Sequence, residues 1–323
     1  MAKKITVIGG GHGSSVVLSA LKDYDFDLSG IISMADNGGS TGRLRDELGV
    51  SAVGDIRQSL ARLTDSEELR ELFSYRFSGG ELDGHSLGNL FLAAGQLMSG
   101  SIEESINIAK EALGVKVNIV PVTDSNPNLV LEQDSGTIFG VHDIATAEIN
   151  KKSVLKLAPN STLSSQASKA LNEADLIVIA PGHFYCSILP ALLVEGVGQA
   201  LNDSNAKVVF MSNLTNINIQ NEGFTPLDYL SEIGRLVGAD LVDIAIYNTA
   251  LISEDRLKPG ESQVEFTELP QTSNYELIGI DILDDEEAKP NPNDKIAALR
   301  SKFRHDKDKV AKILTSLAGE ENE

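Results

Sequence analysis

"KITVIGGGHGSSVVLSAL", Lys4 to Leu21, is the stretch on which the fold of this chain turns. "ITVIG" (5–9) is a short apolar run, the pattern of a strand covered on both faces. Gly9, Gly10 and Gly11, then His12 and Gly13, close that strand and open a helix. A helix starting in a glycine turn presents free N–H groups at the positive end of its dipole, a geometry that accepts phosphate. The dinucleotide fingerprint G-x-G-x-x-G would need glycine at position 14, where Ser14 stands. The phosphate-loop lysine is also missing. Taken alone, the stretch reads equally well as a tight βα turn without a ligand.

Further apolar runs extend the pattern. "GIISM" (30–34), "DLIVIA" (175–180), "KVVFMS" (207–212) and "LVDIAIY" (241–247) are dominated by Val and Ile, with helical segments between several of them. That rhythm predicts an α/β fold, a Rossmann-like doubly wound and mainly parallel sheet. Residues 1–42 and 161–250 form its core on this reading. Residues 43–160 form an insertion, helical at first and then built of short strands, that makes one wall of a cleft. Asp55 and Ser66 stand where helix N-caps belong. Asp134-Ser135-Gly136 reads as a hairpin turn, and "TIFGVHDIATAEI" as strand. Residues 252–292 read as irregular, with "DDEE" (284–287) a solvated loop. A long amphipathic helix is expected over 294–318, from the spacing of Ile296, Leu299, Phe303, Val310, Ile313, Leu314 and Leu317.

Composition narrows the function. The chain has 323 residues, 41% of them hydrophobic, and a formal net charge of -20. That charge disfavours nucleic acid or an anionic membrane as the main partner, because phosphate-rich surfaces are bound by Lys and Arg. The single cysteine, Cys186, excludes an internal disulfide and a zinc cluster, and fits a reducing cytoplasm. No apolar run approaches the roughly 18–20 residues of a membrane span, and no signal peptide is evident. Trp is absent, so aromatic stacking on a ligand must come from Phe, Tyr or His.

Six stretches carry candidate chemistry. The first is the glycine loop, with Gly10, Gly11, His12 and Gly13 approaching a phosphate or ribose and Ser14 capping the helix. The second, "ADNGGSTGRLR" (35–45), packs Asp36, Asn37, Gly38, Gly39, Ser40 and Thr41 together at the end of strand two. Asp36 there could accept from a ribose hydroxyl or hold a divalent metal, and Gly38-Gly39 permit a nest of N–H groups. "VGDIRQSL" (53–60) contributes Asp55. "GHSLGNL" (84–90) contributes His85, Ser86 and Asn89, the last either a structural amide or a ligand contact. "APGHFYCSILPALL" (180–193) repeats the first loop's logic with Gly182 and a helix start at Ser187. "MSNLTN" (211–216) places Asn213 at another strand end. Most of these stretches gather at one edge if the strands are parallel. No nucleophile–base pair is evident from spacing, and an ordinary nicotinamide dehydrogenase is disfavoured by Ser14.

"IGGGHG", "ADNGGSTGRLR", "GDIR", "GHSLGNL" and "APGHFYCSILPALL", in that order, resemble the YvcK branch of the CofD-like family, the gluconeogenesis factors. The resemblance runs from Lys3 to about Leu214 and more weakly beyond. It implies one CofD-like domain with its ligand site at the strand C-termini. It also implies binding of nucleotide sugars such as UDP-N-acetylglucosamine, and a cytoplasmic role in growth on gluconeogenic carbon and in cell shape. "FRHDKDKVAKIL" (303–314) resembles that branch's tail, where the residue matching Arg304 is a diphosphate contact. The sister branch transfers a phospholactyl group with magnesium. In that branch, acids matching Asp36 and Asp55 are candidate metal ligands. This sequence departs from the family pattern at His12 (usually Thr), at Asn37 (often Asp) and at His183 within the 182–187 loop. The expected partner is a phosphorylated small molecule, not nucleic acid or a membrane, and an apolar patch on the inserted wall would allow a homodimer.

Overall fold

The computed structural model describes residues 2–238, 240–266, 275–288 and 301–319. Its centre is a seven-stranded sheet built from β1 (Lys3–Gly9), β2 (Phe26–Ile32), β3 (Asn118–Pro121), β7 (Leu176–Ile179), β8 (Lys207–Met211), β10 (Ile244–Asn248) and β12 (Glu276–Ile280). Every pairing in it is parallel. The order β12-β10-β8-β7-β1-β2-β3 is that of a doubly wound sheet that starts in the middle and builds outward both ways. Val and Ile fill these strands because both faces are covered: Ile5, Val7, Ile8, Ile31, Ile32, Ile177, Val178, Ile179 and Val209 are all fully buried. Each such side chain stabilises the fold by about 1.5–3 kcal/mol.

After β1 comes α1 (Gly11–Leu21), and after β2 come α2 (Gly39–Leu48), α3 (Gly54–Leu63), α4 (Glu67–Ser74), α5 (Leu87–Ser99) and α6 (Ile102–Leu113). Ser66 caps α4 as expected, accepting from the Leu69 N–H at 3.2 Å. A three-stranded antiparallel sheet follows, of β4 (Asn128–Gln133), β5 (Gly136–Phe139) and β6 (Val154–Ala158), with the hairpin turn at Asp134-Ser135 as predicted. Gly140, at φ 90°, ends β5 and starts the short helix α7 (Val141–Ile144), so the strand expected to run on through "GVHDI" is instead broken there. The remaining helices are α8 (Ser165–Asn172), α9 (Leu189–Leu192), α10 (Val197–Asp203), α11 (Asn218–Asn221), α12 (Pro226–Val237) and α13 (Lys307–Leu317). β9 (Thr215–Ile217) and β11 (Glu261–Gln263) pair antiparallel.

Three expectations change. The 43–160 segment is not only a wall, because its "NIVP" returns as β3 and extends the main sheet beside β2. The 252–292 segment is not irregular throughout, because "ELIGI" (276–280) forms the opposite edge strand beside β10. The C-terminal helix begins at Lys307 under an Asp306 cap. Residues 301–306 are extended instead, with a bridge between His305 and Leu283, so Phe303 is buried from a non-helical segment. Ile296 and Leu299 lie outside the described residues. Within the acidic loop Glu287 pairs with Arg256 at 2.8 Å and Lys302 at 2.9 Å. No described helix is long and apolar enough to cross a membrane.

Tyr229 of α12 joins the loops to this frame. It is fully buried, with Phe184 edge-on at 4.8 Å and Phe224 edge-on at 5.4 Å. Its hydroxyl donates to Asn216 Oδ1 at 2.7 Å and accepts from Asn221 Nδ2 at 2.6 Å. Tyr229→Phe strands both partners in the interior and should cost about 1–3 kcal/mol of unfolding free energy. Urea denaturation measures this, and a loss below about 0.5 kcal/mol would remove the hydroxyl from the account.

Candidate functional site

The doubly wound order reverses direction between β1 and β7, and ligands bind outside the strand C-termini at such a switch point. The loops leaving β1 and β7 touch there. A Cβ on Gly13 would lie 1.6 Å from the Pro181 carbonyl oxygen, and one on Gly10 2.7 Å from Ser187 Cβ. A Cβ on Gly11 would lie 2.3 Å from the Asp55 carbonyl oxygen. The glycines of the opening stretch are therefore required by close packing of three loops. Ser59 Oγ donates to the Gly11 carbonyl at 3.1 Å and fixes α3 beneath the loop.

The second loop closes from the other side. Asp36 Oδ1 accepts from the Gly38 N–H at 2.9 Å. Its Oδ2 and Thr41 Oγ1 both crowd Gly54, at 2.3 and 2.6 Å from the position of a Cβ there. Asp55 Oδ2 lies 3.3 Å from a Cβ on Gly10. Asp36 and Asp55 thus border the starts of α1 and α3, both half-buried. Asp55 does not cap α3, as it is the second helical residue and Val53 holds the cap position.

The helix starts at this edge share one property. Nine described helices have eight or more residues. Six are capped by a side chain: Ser66, Ser86, Ser101, Ser164, Thr225 and Asp306. The other three are α1, α2 and α3, whose cap positions Gly10, Gly38 and Val53 supply no side-chain acceptor. Each helix start leaves N–H groups without an intrahelical partner. Among these nine, the cap residue lacks a side-chain acceptor only where these three starts converge. Ser14 is not a cap either; it sits inside α1, fully buried, and its Oγ has no partner.

Several residues expected as ligand contacts hydrogen-bond to neighbouring loops. Asn37 Oδ1 accepts from the Val141 N–H at 2.9 Å, tying the second loop to α7. Asn213 Oδ1 accepts from the Gly182 N–H at 3.1 Å, setting the loop after β7. Ser187 lies within a π-helical turn, Phe184–Ile188, and donates its N–H to the His183 carbonyl at 2.7 Å, so the expected helix start at Ser187 comes three residues late. Arg304 Nη1 donates to the Phe303 carbonyl at 2.7 Å, and the neighbouring His305 Nε2 contacts the Ser212 carbonyl at 3.1 Å. The tail therefore borders the site at the end of β8. Arg45 donates to the carbonyls of Asp36 and Asn126, both at 3.0 Å, and burial lowers its pKa.

Ser40 and Asn89 meet behind the second loop. Asn89 Nδ2 lies 3.1 Å from Ser40 Oγ, and Ser40 Oγ lies 2.9 Å from His85 Nδ1. All three residues are buried. Burial, with Arg43 and Arg76 nearby, pushes the His85 pKa below its usual value, against the opposing charge of Glu47. This serine–histidine contact escaped the sequence, because 45 residues and two helices separate its members. No group of three His, Cys, Asp or Glu side chains placed to hold a metal occurs among the described residues. A cleft of about 580 Å³ lined by Leu230, Arg235, Asp240 and Tyr275 lies at the opposite, N-terminal edge of the sheet and gathers none of these loops.

Two outcomes follow from this geometry. Gly13→Ala should destabilise the chain by about 3 kcal/mol or more, since backbone must move to admit the methyl; a melting temperature equal to wild type would refute the contact. Burial holds His305 down at about 4, against an ordinary 6.5. The unfolded chain then binds more protons between those values, so stability is lost as pH falls from 6.5 toward 4. Urea midpoints at pH 7, 5.5 and 4.5 should fall less steeply for His305→Gln than for wild type, and parallel slopes would contradict this.

The family model "2-phospho-L-lactate transferase CofD" matches residues 5–285. The gluconeogenesis factor of Bacillus subtilis is 33% identical, with the match covering 98% of each chain. That of Listeria innocua is 32% identical over 99% of this chain and 97% of its own. A crystal structure of a UPF0052 family protein from Bacillus halodurans superposes with a TM-score of 0.84 at 30% identity, covering 97% of this chain and 99% of that one. With this similarity spanning nearly its whole length, the chain belongs to the CofD-like gluconeogenesis-factor family.

Proposed function

We propose that this chain binds a nucleotide sugar of the UDP-N-acetylglucosamine type at the β1/β7 edge. In this reading it serves as a cytoplasmic regulatory protein for growth on gluconeogenic carbon and for cell shape. The supporting observation is the convergence of three helix starts without side-chain caps around Gly10–Gly13, Gly38–Thr41 and Gly54. N–H groups at helix starts favour a diphosphate even in a chain of net charge -20. Asp36 would accept from ribose hydroxyls. His12, half-buried on the first turn of α1, would meet one end of the ligand.

A second reading is a magnesium-dependent transferase of phosphorus-containing groups. It is favoured by Asp36 and Asp55 standing with Thr41 Oγ1 around Gly10 and Gly54, a set of hard oxygen donors. Magnesium sites commonly use one or two carboxylates with the remaining positions filled by water and substrate phosphate. Asp36 and Asp55 would hold the ion, which would neutralise charge on a diphosphate.

Calorimetry with UDP-N-acetylglucosamine, with and without magnesium, tests both readings. The binding reading expects heat in either condition and at least tenfold weaker affinity for Asp36→Ala. Magnesium-dependent binding abolished by Asp55→Ala would favour the transferase. Absence of heat and of any thermal shift at millimolar ligand would end the nucleotide-sugar reading.

A further inference from the structure

The contact of Ser40, His85 and Asn89 carries chemistry that binding alone does not require. Ser40 is the second residue of α2, and the N–H groups of Gly39, Ser40 and Thr41 belong to the helix start that lacks a side-chain cap. With His85 neutral and protonated at Nε2, the hydrogen bonds run in one direction: Asn89 Nδ2 donates to Ser40 Oγ, and Ser40 donates to His85 Nδ1. The serine proton then points at a base, and the amide supports negative charge on the oxygen. A second, independent feature lies in the same cluster. Asn89 is 3% exposed, yet its Oδ1 has no partner, an arrangement a purely structural amide avoids. Ser40 itself is 4% exposed, and Gly39 next to it is exposed at φ 46° with nothing within 4 Å of a Cβ there, so the first turn of α2 meets solvent at Gly39.

We propose that Ser40 is a nucleophile activated by His85, and that the site cleaves a phosphoanhydride through a phosphoryl-serine ester. Ser40 Oγ attacks phosphorus while its proton passes to His85 Nδ1. The Oγ–P bond forms, the P–O bond to the departing phosphate ester breaks with its electron pair, and His85 returns the proton to the leaving oxygen. Water then attacks the serine ester. Its oxygen bonds to phosphorus, the Oγ–P bond breaks, and one water proton reaches Oγ through His85. The net change is hydrolysis of one phosphoanhydride. The N–H groups at the α2 start face the phosphoryl oxygens in both steps.

The test uses a small alkyl fluorophosphonate, in which Ser40 attack releases fluoride and leaves a stable ester, so it does not depend on nucleotide-sugar binding. Intact mass and peptide mapping should find one adduct, on Ser40, absent in Ser40→Ala. It should form at least a hundredfold faster in the native protein than in the urea-unfolded chain, and at least tenfold slower in folded His85→Gln. An unmodified Ser40 in the native protein overturns the proposal, as does native labelling no faster than in the unfolded chain or an unchanged rate in folded His85→Gln. A failure of calorimetry with labelling intact would discard the ligand and keep the nucleophile.

Discussion

The contact between the Gly13 backbone and the Pro181 carbonyl sets the geometry on which the rest depends. With only 1.6 Å between a would-be Cβ and that oxygen, the loops after β1 and β7 touch through backbone alone. This brings the start of α1 against Asp55 and Ser187 and lets α3 lie under the glycines, with Ser59 holding the Gly11 carbonyl. A side chain at position 13 would part the two halves of the sheet at its switch point. Interior packing is dense enough that such a displacement would reach the neighbouring elements.

The frame was legible because it rests on local signals. Apolar runs too short for helices, separated by helical spacing, led to five of the seven central strands and to the β1–α1 turn. The other two strands are the edges of the sheet. β12 has no fully buried residue along "ELIGI" and sits next to an acidic loop that masks it. β3 falls in the part of the insertion that reads as short strands, and nothing local says which sheet it joins. The helix predicted over 294–318 shows the converse error. Phe303 has helical spacing from Val310, yet its burial comes from an extended segment bridged to Leu283.

The site was legible in its location and less so in its roles. The six stretches of polar residues at strand ends do come together at one edge of the sheet. Composition could not separate a residue that faces a ligand from one that holds a loop. Asn37 and Asn213 accept from backbone N–H groups of other loops, and Arg304 donates to its own segment's carbonyls. The absence of side-chain caps on α1, α2 and α3 becomes visible only once the true helix starts are known. Ser14 and Asp55 each look like caps in the sequence and are interior to their helices.

These assignments constrain how the edge handles charge. The chain carries 47 acidic against 27 basic residues, and the two arginines of the second loop, Arg43 and Arg45, both donate to backbone carbonyls. Backbone N–H groups at three helix starts add positive potential at this edge. Asp36 and Asp55 oppose them. A compact anion placed among all of these groups would gain from the amides and lose to the carboxylates. An elongated ligand separates the two effects, with phosphate toward the helix starts and hydroxyl donors toward the acids. A divalent cation resolves the conflict differently, by turning the acids into its ligands. On the readings proposed above, the juxtaposition of these helix starts and two carboxylates would favour ligands that carry both anionic and hydroxyl-rich parts, or that arrive with a metal.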